Sequence, residues 1–111
     1  MKFGRLFGMA PNLNGKAYKR KRAEALHGQI IKYVTERDET GDTVIGRGGS
    51  LSLRGDEFLV YSSGETLLRA NIYELEAADL LSGDGVVLTA PNKETDGKVR
   101  SIIVHFVYYR K

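Results

Sequence analysis

The apolar residues in the first third of the chain predict one long amphipathic helix over residues 16–38. This stretch contains no proline, and its apolar residues recur three and four positions apart. At about 100° per residue they share one side of a helix. The residues on that side are Ala23, Leu26, His27, Ile30, Tyr33 and Val34. We therefore expect a helix with one buried face.

From residue 43 to residue 109 the pattern changes to short strands and tight turns. Leu51 and Leu53 alternate with polar residues, and Phe58 and Val60 continue an alternating pattern after a predicted turn. Three dipeptides favour tight turns: Gly55-Asp56, Ser63-Gly64 and Asp84-Gly85. The pattern predicts a meander of about six or seven bent antiparallel strands.

The last predicted strand, residues 98–109, is apolar on both faces. Ile102, Val104 and Phe106 point one way. The opposite face carries Ile103, His105, Val107 and Tyr109. Neither face is polar enough to be left in water, so we expect the helix to cover one and a second copy of the protein to cover the remainder. These four residues are the predicted interface of a homodimer.

The order of these segments resembles that of small bacterial proteins with a pleckstrin-homology-like β domain of the PH or GRAM type. The matching segments are residues 49–53, 56–61, 72–75, 85–89 and 100–109. The resemblance implies an α+β, mainly β fold in which bent strands form a small barrel or sandwich, with the N-terminal helix in the capping role. The family's lipid-binding pattern of Lys and Arg in the first hairpin is not matched. An Sm-like or SH3-like barrel is the alternative fold.

Length and composition favour a single domain over residues 1–111. The chain has 111 residues and no cysteine, which excludes disulfides, thiolate metal sites and a cysteine nucleophile. Two histidines alone make a metal or cofactor site unexpected. The sequence also lacks an apolar run of the roughly 18 residues that a membrane helix needs. We expect a cytoplasmic protein without a cofactor.

The net charge of +3 conceals a division along the chain. Residues 1–22 carry seven basic side chains and no acidic one, so the remainder has a net charge of −4. Residues 1–15 form a basic, glycine-containing N-terminal segment. The start of the predicted helix carries the basic cluster, which consists of Lys16, Lys19, Arg20, Lys21 and Arg22. Such a cluster attracts nucleic acid or an anionic membrane surface, or pairs with acidic residues of a protein.

No combination of residue types in the sequence supports catalysis. We therefore predict a non-catalytic binding or adaptor module that self-associates and recognises a protein or an anionic surface. The alternative is a nucleic-acid-binding small barrel that uses the basic cluster. A third hypothesis is an enzyme or small-ligand carrier with a pocket near Tyr61 and His105.

Overall fold

The computed structural model describes residues 15–107, which contain one α-helix, eight β-strands and one short 3₁₀ helix. The elements are α1 (Lys16–Leu26), β1 (Ile31–Asp38), β2 (Gly41–Arg47), β3 (Ser50–Arg54), β4 (Glu57–Ser62), β5 (Glu65–Asn71), β6 (Glu76–Asp79), β7 (Gly85–Asn92), the 3₁₀ helix (Lys93–Thr95) and β8 (Lys98–Phe106). Most of residues 1–15 and the predicted interface residue Tyr109 lie outside this range.

The predicted helix over residues 16–38 is wrong in its second half. Helix α1 ends at Leu26, and the chain continues as strand β1 from Ile31. Gly28 has a φ of +87°, a left-handed conformation that glycine adopts readily and that commonly terminates helices. The residues that follow are rich in β-branched and aromatic side chains, which favour a strand.

The eight strands form two antiparallel sheets. Five strands pair in the order β2-β1-β8-β7-β6, and three pair in the order β3-β4-β5. Neither sheet closes on itself within residues 15–107. This arrangement confirms the α+β, mainly β class, with strand β1 starting well before the predicted boundary at residue 43.

Two of the three predicted turns lie where the sequence places them. Gly55-Asp56 joins β3 to β4, and Ser63-Gly64 joins β4 to β5 with both residues at positive φ. The third turn is displaced. It spans residues 80–84 between β6 and β7, with the positive φ at Gly83 instead of at Asp84 and Gly85.

The connection between α1 and β1 covers the outer edge of β3. The amide of Gly28 donates to Leu51 O at 2.9 Å, and the amide of Leu51 donates to Gln29 O at 3.0 Å. A third bond joins the amide of Ile31 to Gly49 O at 2.9 Å. These bonds join the two sheets at one end and satisfy backbone groups that an edge strand would otherwise leave open.

Two side chains from the five-stranded sheet bind β5 at the other edge of the three-stranded sheet. Asn92, fully buried, accepts a hydrogen bond from the amide of Arg69 at 3.1 Å. Arg100 donates to Leu67 O at 2.8 Å and also holds Glu36 of β1. Both edges of the smaller sheet are therefore bonded to other parts of the chain.

One hydrophobic core contains buried residues from α1 and from both sheets. The helix contributes Ala23 and Leu26, which are 1% and 4% exposed. The largest fully buried side chains include Phe58, Leu68, Leu88, Ile102 and Val104. Burial of these side chains is the main favourable contribution to folding. Within this core, the face of β8 that carries Ile102 and Val104 is buried together with residues of the three-stranded sheet as well as of α1, so the helix is not its only cover among the described residues.

Candidate functional site

Three cations of the basic cluster contact the body of the protein. The ammonium of Lys19 donates to Tyr73 O at 3.1 Å. Arg20 forms an ion pair with Asp56 and donates to the hydroxyl of Tyr73 at 3.1 Å. Arg22 pairs with Asp79 of β6. The predicted acidic partners of the cluster therefore include residues of the same molecule, which dock the helix on its own chain.

The other two cations of the cluster are more open. Lys16 is exposed, with its ammonium 5.6 Å from the centre of the Tyr73 ring. Lys21 is also exposed. The hydrogen bond to Tyr73 raises the pKa of Arg20, and the carboxylate of Asp56 raises it further. Binding of an anionic partner by this cluster stays a prediction, and much of its charge already has an intramolecular partner.

The outer face of the five-stranded sheet, opposite the core, carries one aligned row of residues from all five strands. Thr35 lies opposite both Val44 and Ile103, Ile103 lies opposite Val87, and Val87 lies opposite Ala78. We call these five residues the central row. At about 4.8 Å between strands the row is about 19 Å long. It is apolar apart from Thr35.

The central row is partly open to solvent. Val44 is 42% exposed, while Ile103 and Val87 are half-buried. Thr35 is the recessed member at 6% exposed, and within residues 15–107 its Oγ1 has no hydrogen-bond partner. Within the row, the buried hydroxyl of Thr35 therefore lies between two larger apolar side chains, Val44 and Ile103.

Aromatic and basic residues line one side of the central row and form the aromatic flank. Tyr33 and His105 are directly opposite each other on β1 and β8, and their rings stack at 4.3 Å between centroids with 19° between planes. Arg47 lies opposite Tyr33 on β2. The flank therefore ends in a cation at the β2 edge and in the stacked rings at the middle of the sheet.

Hydroxyl and charged residues line the other side and form the hydroxyl flank. Arg37 donates to Asp42 at 2.8 and 3.3 Å. Farther across the sheet, the hydroxyls of Ser101 and Thr89 are 2.8 Å apart, and Glu76 lies opposite Thr89. Asp42 places a carboxylate at the β2 edge of this flank.

Of the four predicted interface residues, two are placed on the outer face of the five-stranded sheet. Ile103 and His105 lie on the outer face, in the central row and the aromatic flank respectively. Val107 follows the end of β8, and its amide donates to Ile30 O at 3.0 Å. Tyr109 is outside the described residues. Sequence reasoning missed Val44, Thr35 and Val87, because their alignment depends on strand register.

The two histidines have different environments. Nδ1 of His27 accepts a hydrogen bond from the amide of Leu53 at 2.8 Å, whereas His105 stacks on Tyr33. Among residues 15–107, no group of three His, Cys, Asp or Glu side chains is placed to hold a metal ion. Tyr61, predicted to share a pocket with His105, instead has the guanidinium of Arg54 6.0 Å from its ring centre on the smaller sheet.

Comparison with known proteins adds no assignment. No family model, curated protein or solved structure matches the chain. The resemblance to PH-like domains therefore stays a prediction. In the described part of the chain, no helix is long and apolar enough to span a membrane.

Proposed function

We propose that this protein is a non-catalytic binding module that acts as a homodimer, with the outer face of the five-stranded sheet as its interface. The observation that carries the proposal is the central row, which aligns residues from five strands on a face opposite the core. Burying such a row against a partner removes apolar surface from water, which is the main driving force of association.

The flanks of the row are complementary to each other, which favours a second copy as the partner. A two-fold axis along the row sets each aromatic flank over the hydroxyl flank of the other molecule. Arg47 then lies over the partner's Asp42, and Tyr33 over the partner's Arg37. The first pair has opposite charges, and the second has the composition of a cation–π contact. Sheets that pack face to face are about 10 Å apart, within reach of these side chains.

The fold of the module is proposed to be PH-like, with α1 in the capping role. Two observations support this part of the proposal. Ala23 and Leu26 are buried in the same core as residues of both sheets, and the cations Lys19, Arg20 and Arg22 attach the helix to the body. The helix is therefore fixed to the strands at its polar side as well as at its apolar side.

Measurement of the solution mass tests the dimer. We expect wild-type protein to have twice the mass of the chain in light scattering at micromolar concentration. Val44→Glu and Ile103→Glu place a charge in the central row, so both variants should be monomers. Leu81→Glu is the matched control, because Leu81 is fully exposed in the β6–β7 turn and lies outside the row.

Each variant is first shown to be folded by its circular dichroism spectrum and its urea midpoint. Val44 is on an edge strand and 42% exposed, so Val44→Glu is expected to fold even where Ile103→Glu does not. A monomeric wild-type protein at 100 μM, or folded Val44→Glu protein that remains dimeric, contradicts the proposal. Salt-sensitive oligonucleotide binding lost on removal of Lys16 and Lys21 would favour the nucleic-acid alternative.

A further inference from the structure

A groove of about 380 Å³ lies between α1 and β6. Its floor is apolar and comes from the helix and from the β5–β6 connection, and the opposite wall comes from β6 and β7 and includes the acidic Glu76. The floor residues Ala23, Leu26, Ile72 and Leu75 are each no more than 7% exposed. A volume of this size is within the range of small-molecule sites, which are mostly apolar and have a few polar groups.

The helical rim of the groove carries two cations one turn apart. Lys19 and Arg22 are three positions apart on α1, so they lie on the same side of the helix, and both line the groove. Each is half-buried. Tyr18, 38% exposed, lies at the same rim. A ligand on the apolar floor would therefore meet positive charge along the helix.

Lys19 has hydrogen-bonding capacity beyond its contact with the body. An ammonium has three N–H donors, and Tyr73 O accepts one of them at 3.1 Å. Arg22 is different, because its guanidinium is paired with Asp79. The pair neutralises much of the charge of Arg22 and leaves Lys19 as the group that an incoming anion would meet.

From this arrangement we propose that the groove binds an amphipathic anion. The ligand has an apolar body, a ring system or a short hydrocarbon chain, which lies above the buried floor and against Ala77, Ala78 and Val87 of the opposite wall. It has one anionic head, a carboxylate or sulfonate, which accepts a hydrogen bond from Lys19. The site adjoins the proposed dimer face, since Ala78 and Val87 line both the groove and the central row, whereas Lys19 belongs to α1.

The fluorescent probe 8-anilinonaphthalene-1-sulfonate tests the proposal because it combines aromatic rings with a sulfonate. We expect its fluorescence to rise when it is titrated with folded protein. Lys19→Gln should weaken binding about tenfold, because a hydrogen bond to a charged group is lost. Lys21→Gln is the matched control, since Lys21 is on the same helix and outside the groove. Lys19→Arg should retain binding.

A second titration tests the charge of the head group. Decanoate should displace the probe, whereas decyltrimethylammonium, with a similar chain and the opposite charge, should not. The urea midpoint of every variant is measured to show that α1 is still docked. Equal binding by folded Lys19→Gln and Lys21→Gln proteins, or equal displacement by the two decyl compounds, overturns the proposal.

The two proposals fail separately. Val44→Glu, which should break the dimer and uncover Ala78 and Val87, is expected to bind the probe at least as tightly as wild type and with the same dependence on Lys19. Probe binding that is lost with the dimer, or that rises in Val44→Glu without dependence on Lys19, places the probe on the outer sheet face and overturns the groove site.

Discussion

Arg100 donates two hydrogen bonds to the carboxylate of Glu36, from Nε to Oε2 at 2.8 Å and from Nη2 to Oε1 at 3.0 Å. The same guanidinium donates to Leu67 O at 2.8 Å, so one side chain joins β8, β1 and β5. Such a bidentate ion pair is stronger and more directional than a pair joined by one hydrogen bond. It joins the two sheets at the end opposite the α1–β1 connection.

We predict that Arg100→Gln destabilises the protein by about 1–3 kcal/mol at neutral pH, because charged hydrogen bonds between the sheets are lost. The free energy of unfolding is measured by urea denaturation. Lys93→Gln is the control: Lys93 also forms an ion pair, with Glu57, but it is exposed and lies outside the proposed dimer face, so we expect a loss of less than about 1 kcal/mol. Equal effects of the two substitutions would contradict the assignment.

The same pair predicts a dependence on pH. The hydrogen bond from Arg100 holds the pKa of Glu36 below its ordinary value, so the folded state favours the charged form. A lowered folded-state pKa gives stability that is present above the ordinary pKa and is lost as pH falls through the folded-state value. The difference between wild type and Glu36→Gln in unfolding free energy should therefore shrink between neutral pH and about pH 3. If the difference in unfolding free energy between the two proteins does not change with pH, the charge of Glu36 is not the source of this stability.

Two neighbouring glycines at the β2–β3 corner should respond differently to alanine. A Cβ on Gly49 would overlap the carbonyl oxygen of Tyr61, in addition to the strain of a φ of +101°. Gly48 also has a positive φ, but no atom lies within 4 Å of the position that a Cβ would take there. We predict a cost of about 1 kcal/mol for Gly48→Ala, from strain alone, and a clearly larger loss for Gly49→Ala. Thermal unfolding of the two variants distinguishes them.

Docking of the basic cluster on the body makes a prediction within α1. Arg20→Gln removes the contacts with Asp56 and Tyr73, so we expect a lower urea midpoint and faster amide exchange in the helix. Lys21→Gln removes the same charge from an exposed position and should change neither quantity. If both variants behave like wild type, the contacts of Arg20 do not hold the helix.

The sequence predicts the hairpins better than the helix end. Turn chemistry is local, so Gly55-Asp56 and Ser63-Gly64 identify their own reversals. The stripe through Ile30, Tyr33 and Val34 is ambiguous, because a strand with apolar residues on both faces has similar spacings: Val34 is buried in the core, Tyr33 is half-buried and Ile30 is 44% exposed. Gly28 and the β-branched residues after it were the available signals for a strand.

The candidate sites depend on contacts that no local pattern contains. Glu36 and Arg100 are 64 positions apart, and their pairing follows only from the β1–β8 register. The central row likewise depends on register, because an irregularity in the β1–β2 pair skips Ile45 and places Val44 opposite Thr35. A displacement of one residue would send these side chains to the other face.

The bonded edges of the three-stranded sheet have a consequence for fibre formation. Within residues 15–107, strand addition from another molecule is open only along β2 and β6. β6 is four residues long and carries Glu76 and Asp79, so two such edges repel each other. The β1–β2 pair contains a bulge, and the backbone of Arg47 at the end of β2 is hydrogen-bonded to Ser63. These features oppose the edge-to-edge pairing of molecules that would build a fibre.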